Sequence, residues 1–122
     1  MNIRITAENL ELKMSSGESI DCEELFEYID VQLKTDTFYI SEQMKVYADD
    51  IEAFFGEFTD MCTKLNGNAY IKEPYGNQMY IGFSCDKKGH ITIEGTLHKN
   101  SGENTFITSF VNKVDQSAVK FE

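Results

Sequence analysis

The chain has 122 residues, of which 41% are hydrophobic, with nine phenylalanines and six tyrosines. This size and composition fit one domain with one ordinary core. No apolar run approaches the roughly 18 residues of a membrane span, and the start lacks the pattern of a signal peptide. We therefore expect a cytoplasmic protein with no membrane partner. The three cysteines, Cys22, Cys62 and Cys85, are odd in number and form no CxxC pair, which disfavours a disulfide framework and a structural zinc site.

The negative charge is concentrated in the first half of the chain. Residues 1–60 hold 15 Asp and Glu against 4 Lys and Arg, while residues 61–122 hold 6 against 7, which gives a net charge of −10. Such a field repels nucleic acid and anionic membranes and attracts a basic partner, with effects on association rate that salt weakens. The alternative interpretation is an acidic surface that only maintains solubility.

The first elements are predicted to be strands. Residues 2–14 carry apolar side chains at even spacings, which indicates a strand pair or one bent strand, and residues 15–17 are typical of a turn. The stretch 18–34 fits a helix face as well as a strand. Alternation of apolar and polar residues over 29–34 favours a strand from about Leu25 onward.

A second strand should follow the turn at residues 35–37 and complete a hairpin. Its apolar positions share one parity. They are Phe38, Ile40, Met44 and Val46.

A helix is predicted over about residues 49–66. Asp49 or Asp50 would cap its start, and Asn66-Gly67 would provide a left-handed stop. Apolar residues recur at intervals of three and four, so the helix should pack on a sheet. These residues are Ile51, Phe54, Phe55, Phe58, Met61, Cys62 and Leu65.

After the helix the pattern changes to short alternating runs separated by turn residues, as in an antiparallel meander. The fold class is therefore α+β in a single domain over 1–122: a mainly antiparallel sheet, arranged as a meander, half-barrel or split sandwich, with the helix packed on it. The predicted runs are 68–72, 79–85, 91–97, 106–114 and a short edge at Val119 and Phe121. The intervening turns or loops are 74–77, 86–89 and 100–104. The inward positions are Met79, Ile81, Phe83, Cys85, Ile91, Ile93, Gly95 and Leu97.

The sequence contains no recognisable catalytic, cofactor-binding or metal-binding motif. His90 and His98 would lie about 27 Å apart at the two ends of one strand, too far to share a metal ion. Cys62 and Cys85 fall on apolar faces, where a thiol is normally inert. We therefore predict no cofactor and no enzyme. A hydrolase with a carboxylate pair is the weakest alternative, because such a pair has no sequence signature.

The acidic residues that precede and enter the third predicted strand form a candidate partner-binding rim. Dense carboxylates suit the Lys and Arg side chains of a nucleic-acid-binding partner, since they imitate phosphate. The alternative is a charged loop that only protects a sheet edge from pairing. The candidate residues are Glu18, Asp21, Glu23, Glu24, Glu27 and Asp30, with Asp36 and Glu42 on the adjoining hairpin.

Four segments carry a resemblance to a known family: residues 26–33, residues 38–58, the strand Gly89-His90-Ile91-Thr92-Ile93-Glu94-Gly95-Thr96-Leu97, and Val114-Asp115-Gln116-Ser117. Together they resemble the WapI-family immunity proteins of bacterial polymorphic and contact-dependent toxin systems, over about residues 20–120. The resemblance implies a cytosolic protein that binds and blocks a cognate toxin domain. It transfers no catalytic or binding residues to this chain.

Two functions of different classes follow. The first is an immunity protein whose partner is a basic toxin domain, with a nuclease favoured by the charge. The second is a non-catalytic ligand-binding or scaffold module with its pocket between helix and sheet.

Overall fold

The computed structural model describes residues 1–19, 25–76 and 78–122, although only the backbone of Glu18 and Ser19, and over these residues the chain forms two antiparallel sheets and one α-helix. The predicted α+β class with one long helix is confirmed. The strands are β1 (Asn2–Ala7), β2 (Leu10–Ser19), β3 (Phe26–Thr35), β4 (Tyr39–Tyr47), β5 (Gly67–Lys72), β6 (Tyr80–Cys85), β7 (His90–Ser101), β8 (Asn104–Asp115) and β9 (Val119–Phe121); the helix is α1 (Ala48–Lys64), and a short 3₁₀ turn spans Gln116–Ala118.

The first sheet has five strands in the order β4-β3-β2-β1-β9. The predicted strand pair in residues 2–14 is confirmed as β1 and β2, and the strand expected from about Leu25 is β3. The predicted short edge is β9, which pairs with β1. The part of the ambiguous stretch over residues 20–24 lies outside the described residues.

The turn predicted at residues 15–17 is wrong. β2 continues through it to Ser19, with Ser15 opposite Asp30 and Ser16 opposite Ile29. The register shifts between Ser16 and Ser19, so Gly17 lies in an irregularity of the ladder. The reason is tertiary: β3 offers a backbone partner to these residues, and the pairing outweighs the turn preference of Ser and Gly.

Both predicted caps of α1 differ from the structure. The helix begins after Tyr47, whose side chain makes no capping hydrogen bond, and Asp49 and Asp50 lie within the first turn. There they still face the positive end of the helix dipole. At the other end, Leu65 adopts the left-handed conformation with φ of 51°, one residue before the expected Asn66-Gly67 stop, and its N–H bonds to the carbonyl of Met61.

The second sheet has the order β5-β6-β7-β8, so the predicted meander is confirmed. The loop expected at residues 100–104 is wrong, because Asn100 and Ser101 pair with Thr105 and Asn104 and leave a two-residue turn. Gly102, with φ of 62°, makes that tight turn possible. As a result His98 lies inside β7 and not at its end. Of the turn predicted at 74–77, residues 74–76 are bends and a turn, and Asn77 lies outside the described residues.

The inner faces of both sheets and the apolar face of α1 form a single core. Phe58 of α1 lies 5.0 Å from the ring of Phe83 in the second sheet and 5.8 Å from that of Phe121 in the first, so the helix joins the two sheets. Ile40, Met44 and Val46 are buried as predicted. Phe38 is not: it precedes β4 and remains 39% exposed. The inward residues predicted for the meander are also buried, including Gly95.

Candidate protein-interaction surface

The predicted acidic rim is only partly described. Asp21, Glu23 and Glu24 lie outside the described residues, and the side chain of Glu18 is not described. Glu27 and Asp30 both lie on β3, three residues apart, and therefore face opposite sides of the first sheet. Glu27 shares the parity of buried Ile29, whereas Asp30 is exposed on the outer face. The structure therefore does not bring these two carboxylates together.

The outer face of the first sheet is mixed in charge. Asp30 accepts a hydrogen bond of 2.8 Å from the amide of Gln43, and Glu11 pairs with Lys13 at 2.9 Å. The neighbouring Lys13 is the main reason that the pKa of Glu11 lies below its ordinary value. All four basic residues of the first half alternate with buried positions and so lie on this face. They are Arg4, Lys13, Lys34 and Lys45.

The uncompensated negative charge lies instead around α1. Its first turn carries Asp49 and Asp50, and Lys64 is the single basic residue in the 17 residues of the helix. Lys64 is 3.9 Å from Asp60 at the opposite end, with both side chains largely exposed. The start of α1 is therefore strongly acidic, with Asp49 and Asp50 at the positive end of the helix dipole.

A depression of about 340 Å³ lies where the start of α1 meets the start of β3. Carboxylates of Glu27, Asp49 and Glu52 stand at its rim. Its apolar lining includes Ile51, which is buried, and Phe55, which is half-buried. We call this feature the acidic depression; Met1 and Ala48 complete its lining. An open, acid-rimmed hollow with an apolar floor suits a long cationic side chain, which has an apolar stem and a charged head.

An aromatic stack stands beside the acidic depression, on the outer face at the same end of the β3–β4 hairpin. The rings of Phe26 and Tyr47, which are directly opposite in the ladder, lie 4.8 Å apart and nearly parallel. The hydroxyls of Tyr47 and Tyr75 are 2.8 Å apart, and Tyr75 is 67% exposed. The Lys45 ammonium lies 4.7 Å from the centre of the Phe26 ring. We call Phe26, Tyr47 and Tyr75 the aromatic stack.

Electrostatics connect the aromatic stack to the start of α1. The hydrogen bond with Tyr75 raises the pKa of Tyr47, and the charge of Asp50 contributes in the same direction. Tyr47 therefore remains a neutral hydrogen-bonding group at physiological pH. Aromatic side chains are enriched at the centres of protein interfaces, and charged ones at their rims.

Sequence reasoning missed the acidic depression and the aromatic stack. The alternation of side chains along a strand already places Glu27 on the same face as Ile29 and on the face opposite to Asp30. The separation of these two carboxylates could therefore have been predicted from the sequence. Glu27, Asp49 and Glu52 line one depression because α1 packs near the start of β3, and no local pattern encodes that packing. Tyr75 joins Tyr47 across 28 residues of sequence, which likewise depends on the fold.

The nucleophilic and metal-ligating side chains of the described residues show no catalytic arrangement. Burial raises the pKa of the Cys62 thiol to about 11 and also raises that of Cys85. His90 lies 3.3 Å from Asp86, in a turn where Asp86 also accepts backbone N–H groups. In the part of the chain that the structure describes, no three His, Cys, Asp or Glu side chains are grouped to hold a metal ion, and no helix has the length and hydropathy to cross a membrane.

These features define an acidic α+β protein in which one helix joins two antiparallel sheets. The first turn of that helix is acidic and lies near the aromatic stack. Comparison with known proteins finds no matching family model, no matching curated protein and no matching solved structure.

Proposed function

We propose that this protein is a non-catalytic inhibitor that binds a basic protein domain through the start of α1. The observation that carries the proposal is the acidic depression beside the aromatic stack. Glu27, Asp49 and Glu52 supply carboxylates for a Lys or Arg head group, while Ile51 and Phe55 receive its apolar stem. Tyr47 and Tyr75 add the amphipathic contact area that dominates many interfaces.

The distribution of charge also favours the start of α1 as the contact surface. The acidic depression is lined by three carboxylate side chains and by no Lys or Arg. The four basic residues of the first half, including Lys45 beside the aromatic stack, lie on the outer face of the first sheet. A net charge of −10 accelerates encounter with a basic partner, and the local asymmetry orients that encounter. Residues 18–24, which carry four further carboxylates, directly precede Leu25 and the aromatic stack in the chain.

We further propose a cytoplasmic immunity protein of the WapI family that blocks a cognate toxin domain. The support is the resemblance carried by residues 89–97 and 114–117, together with the charge. A nuclease is the favoured toxin class, because a surface that binds phosphates is basic and is matched by carboxylates. Block would be steric and electrostatic and would require no chemistry from the inhibitor.

The ligand-binding alternative receives less support from the packing. A pocket between α1 and the second sheet would occupy the space where Phe54, Phe58 and Phe83 contact one another, with ring centres 5.0 to 6.1 Å apart. This part of the described core is filled with aromatic side chains.

The test has two stages. The tagged protein is purified from its native host and its partner is identified by mass spectrometry. The recovered domain is then expressed in a heterologous host with and without this protein. The proposal expects a basic domain at equal stoichiometry, and restoration of growth by the wild type but not by a Glu27→Lys/Glu52→Lys double variant. An acidic partner, or equal protection by the double variant, would contradict it.

A further inference from the structure

β8 is a long strand at the edge of the second sheet. It pairs with β7 from Asn104 to Asp115 and is the last strand of the second sheet. Among the described residues, no backbone hydrogen bond reaches its outer edge. The opposite edge strand of this sheet, β5, is half as long and packs beside α1. An edge of twelve residues with accessible N–H and C=O groups is a template for pairing with another strand.

The hairpin turn determines which backbone groups face this edge. Ser101 and Asn104 close a two-residue turn and therefore form a hydrogen-bonded pair. Because hydrogen-bonded and non-hydrogen-bonded pairs alternate, even-numbered residues of β8 bond to β7. The bond of 2.7 Å from the Gln116 N–H to the Gly89 carbonyl continues that series. Odd-numbered residues direct their N–H and C=O groups outward, and they include Ile107 and Val111, which are 63% and 71% exposed.

The edge lacks the features that usually prevent pairing. β8 contains no proline, and its only charged residues are Lys113 and Asp115, near its end. The half of the chain that contains β8 holds 6 acidic against 7 basic residues, so pairing along β8 brings little net like charge together. A two-fold axis also makes one strand its own antiparallel partner, since both copies present the same surface.

We propose that a second copy of this chain pairs with β8 in an antiparallel β8–β8 ladder centred on Thr108. In this register Phe106 lies opposite Phe110, and Glu103, in the turn that precedes β8, comes level with Lys113, each twice. Opposite charges and aromatic pairs are the combinations that stabilise neighbouring strands. Phe106 is 59% exposed in the single chain, so the pairing gives its ring a partner.

The register shifted by one residue, centred on Ser109, gives less favourable charge and aromatic pairs. Centred on Ser109, the ladder places Glu103 opposite Asp115 and Phe106 opposite Asn112. Only the Thr108 register joins opposite charges and aromatic rings while keeping the outward-facing odd residues hydrogen-bonded to each other. The result is a continuous eight-stranded sheet. A single strand pair is a small interface, and the dimer should therefore depend on concentration.

Charge exchange between two variants tests the register. Glu103→Lys places two lysines opposite each other in its own dimer, and Lys113→Glu places two glutamates there. An equimolar mixture restores both opposite-charge pairs in a heterodimer. Sedimentation velocity should show a concentration-dependent dimer for the wild type, weaker self-association for each variant alone, and recovery in the mixture. A wild type that stays monomeric up to about 1 mM, or dimers that neither variant weakens, would overturn the proposal.

Cross-linking provides a second readout that does not depend on charge. Across a non-hydrogen-bonded antiparallel pair the Cα atoms are about 4.5 Å apart, which suits a disulfide. Thr108→Cys in a Cys22→Ser background should therefore form a disulfide dimer on mild oxidation. Ser109→Cys is the matched control, because its introduced thiol faces Ile107 of the second copy. Cross-linking of the control alone, or protection of the β8 amides from hydrogen exchange by a heterologous partner and not by self-association, would contradict the pairing.

Discussion

The carboxylate of Glu73 accepts a hydrogen bond of 3.1 Å from the backbone N–H of Lys45, and so links the loop after β5 to the edge strand β4 of the other sheet. Its second oxygen accepts the N–H of Met79 at 3.0 Å. Glu73 is 7% exposed and is the single buried charged residue of the part of the chain that the structure describes. It therefore satisfies two backbone donors that would otherwise be unpaired where the two sheets meet.

Replacing Glu73 with Ala should destabilise the protein by about 1–3 kcal/mol, because it leaves the N–H groups of Lys45 and Met79 without an acceptor. Glu57→Ala, on the exposed face of α1, is the matched control and should change the free energy of unfolding by less than about 0.5 kcal/mol. Urea denaturation measures both. Equal, small effects of the two substitutions would show that water replaces the carboxylate without cost.

Two glycine substitutions should change the free energy of unfolding in opposite directions. A Cβ on Gly95 would lie 2.6 Å from the carbonyl oxygen of Tyr80 and 2.8 Å from the Phe110 ring, so Gly95→Ala should destabilise by about 1–3 kcal/mol. Gly56 is in the middle of α1 with nothing within 4 Å of the added carbon, and Gly56→Ala should stabilise by about 0.5–1 kcal/mol. Thermal unfolding of both variants tests the pair. A stabilising Gly95→Ala would mean that β6 and β7 are not packed as described.

The thiols of Cys62 and Cys85 should be unreactive in the native protein. Both are buried, and burial raises the pKa of Cys62 to about 11, so little thiolate is present at neutral pH. In a Cys22→Ser variant at pH 7.5, alkylation should be slow in buffer and fast in denaturant. Rapid native labelling of Cys62 would indicate a reactive thiol and would revive an enzymatic role.

Asp86 should make stability depend on acid pH. Hydrogen bonds from the backbone N–H groups of His90 and Lys88 hold the pKa of its carboxyl below the ordinary value of 3.8. Because the folded-state pKa is the lower one, the stabilisation is present above the unfolded value and is lost as the pH falls through the folded pKa. The advantage of wild type over Asp86→Asn in free energy of unfolding should therefore be constant above about pH 5 and shrink below about pH 4. If the difference in free energy of unfolding between wild type and Asp86→Asn is the same above and below this pH range, the charge of Asp86 does not cause it.

The sequence was sufficient for the elements whose periodicity is long and regular. The apolar spacing of three and four in α1 and the alternation over Met79–Cys85 identified their type and their buried faces. Residues 15–17 and 100–104 were mispredicted because strand pairing with β3 and with β7 competes with local turn preference, and pairing prevails in both cases.

The candidate site was less accessible to sequence reasoning than the fold. Net charge pointed to a basic partner, but grouping Glu27 with Asp30 by their nearness in sequence ignored the alternation of a strand. The pairing of Phe26 with Tyr47 depends on the hairpin register, and the acidic depression depends on how α1 packs. Interactions between segments that are distant in the sequence form the site. The local sequence pattern of each segment alone does not indicate a binding site.

Association kinetics can show whether a basic partner binds at the start of α1. The rate constant for association with the recovered partner domain is measured by stopped flow at several salt concentrations for wild type, Glu27→Lys/Glu52→Lys and Asp30→Lys/Glu11→Lys. Both double variants change the net charge equally. We expect the first double variant to slow association at least about tenfold at low salt and to weaken its salt dependence. The second, on the outer face of the first sheet and away from the start of α1, should have a much smaller effect. Equal slowing by both would show that only the net charge of the protein matters. Slowing by the second alone would move the interface along the outer face of the first sheet, away from the start of α1.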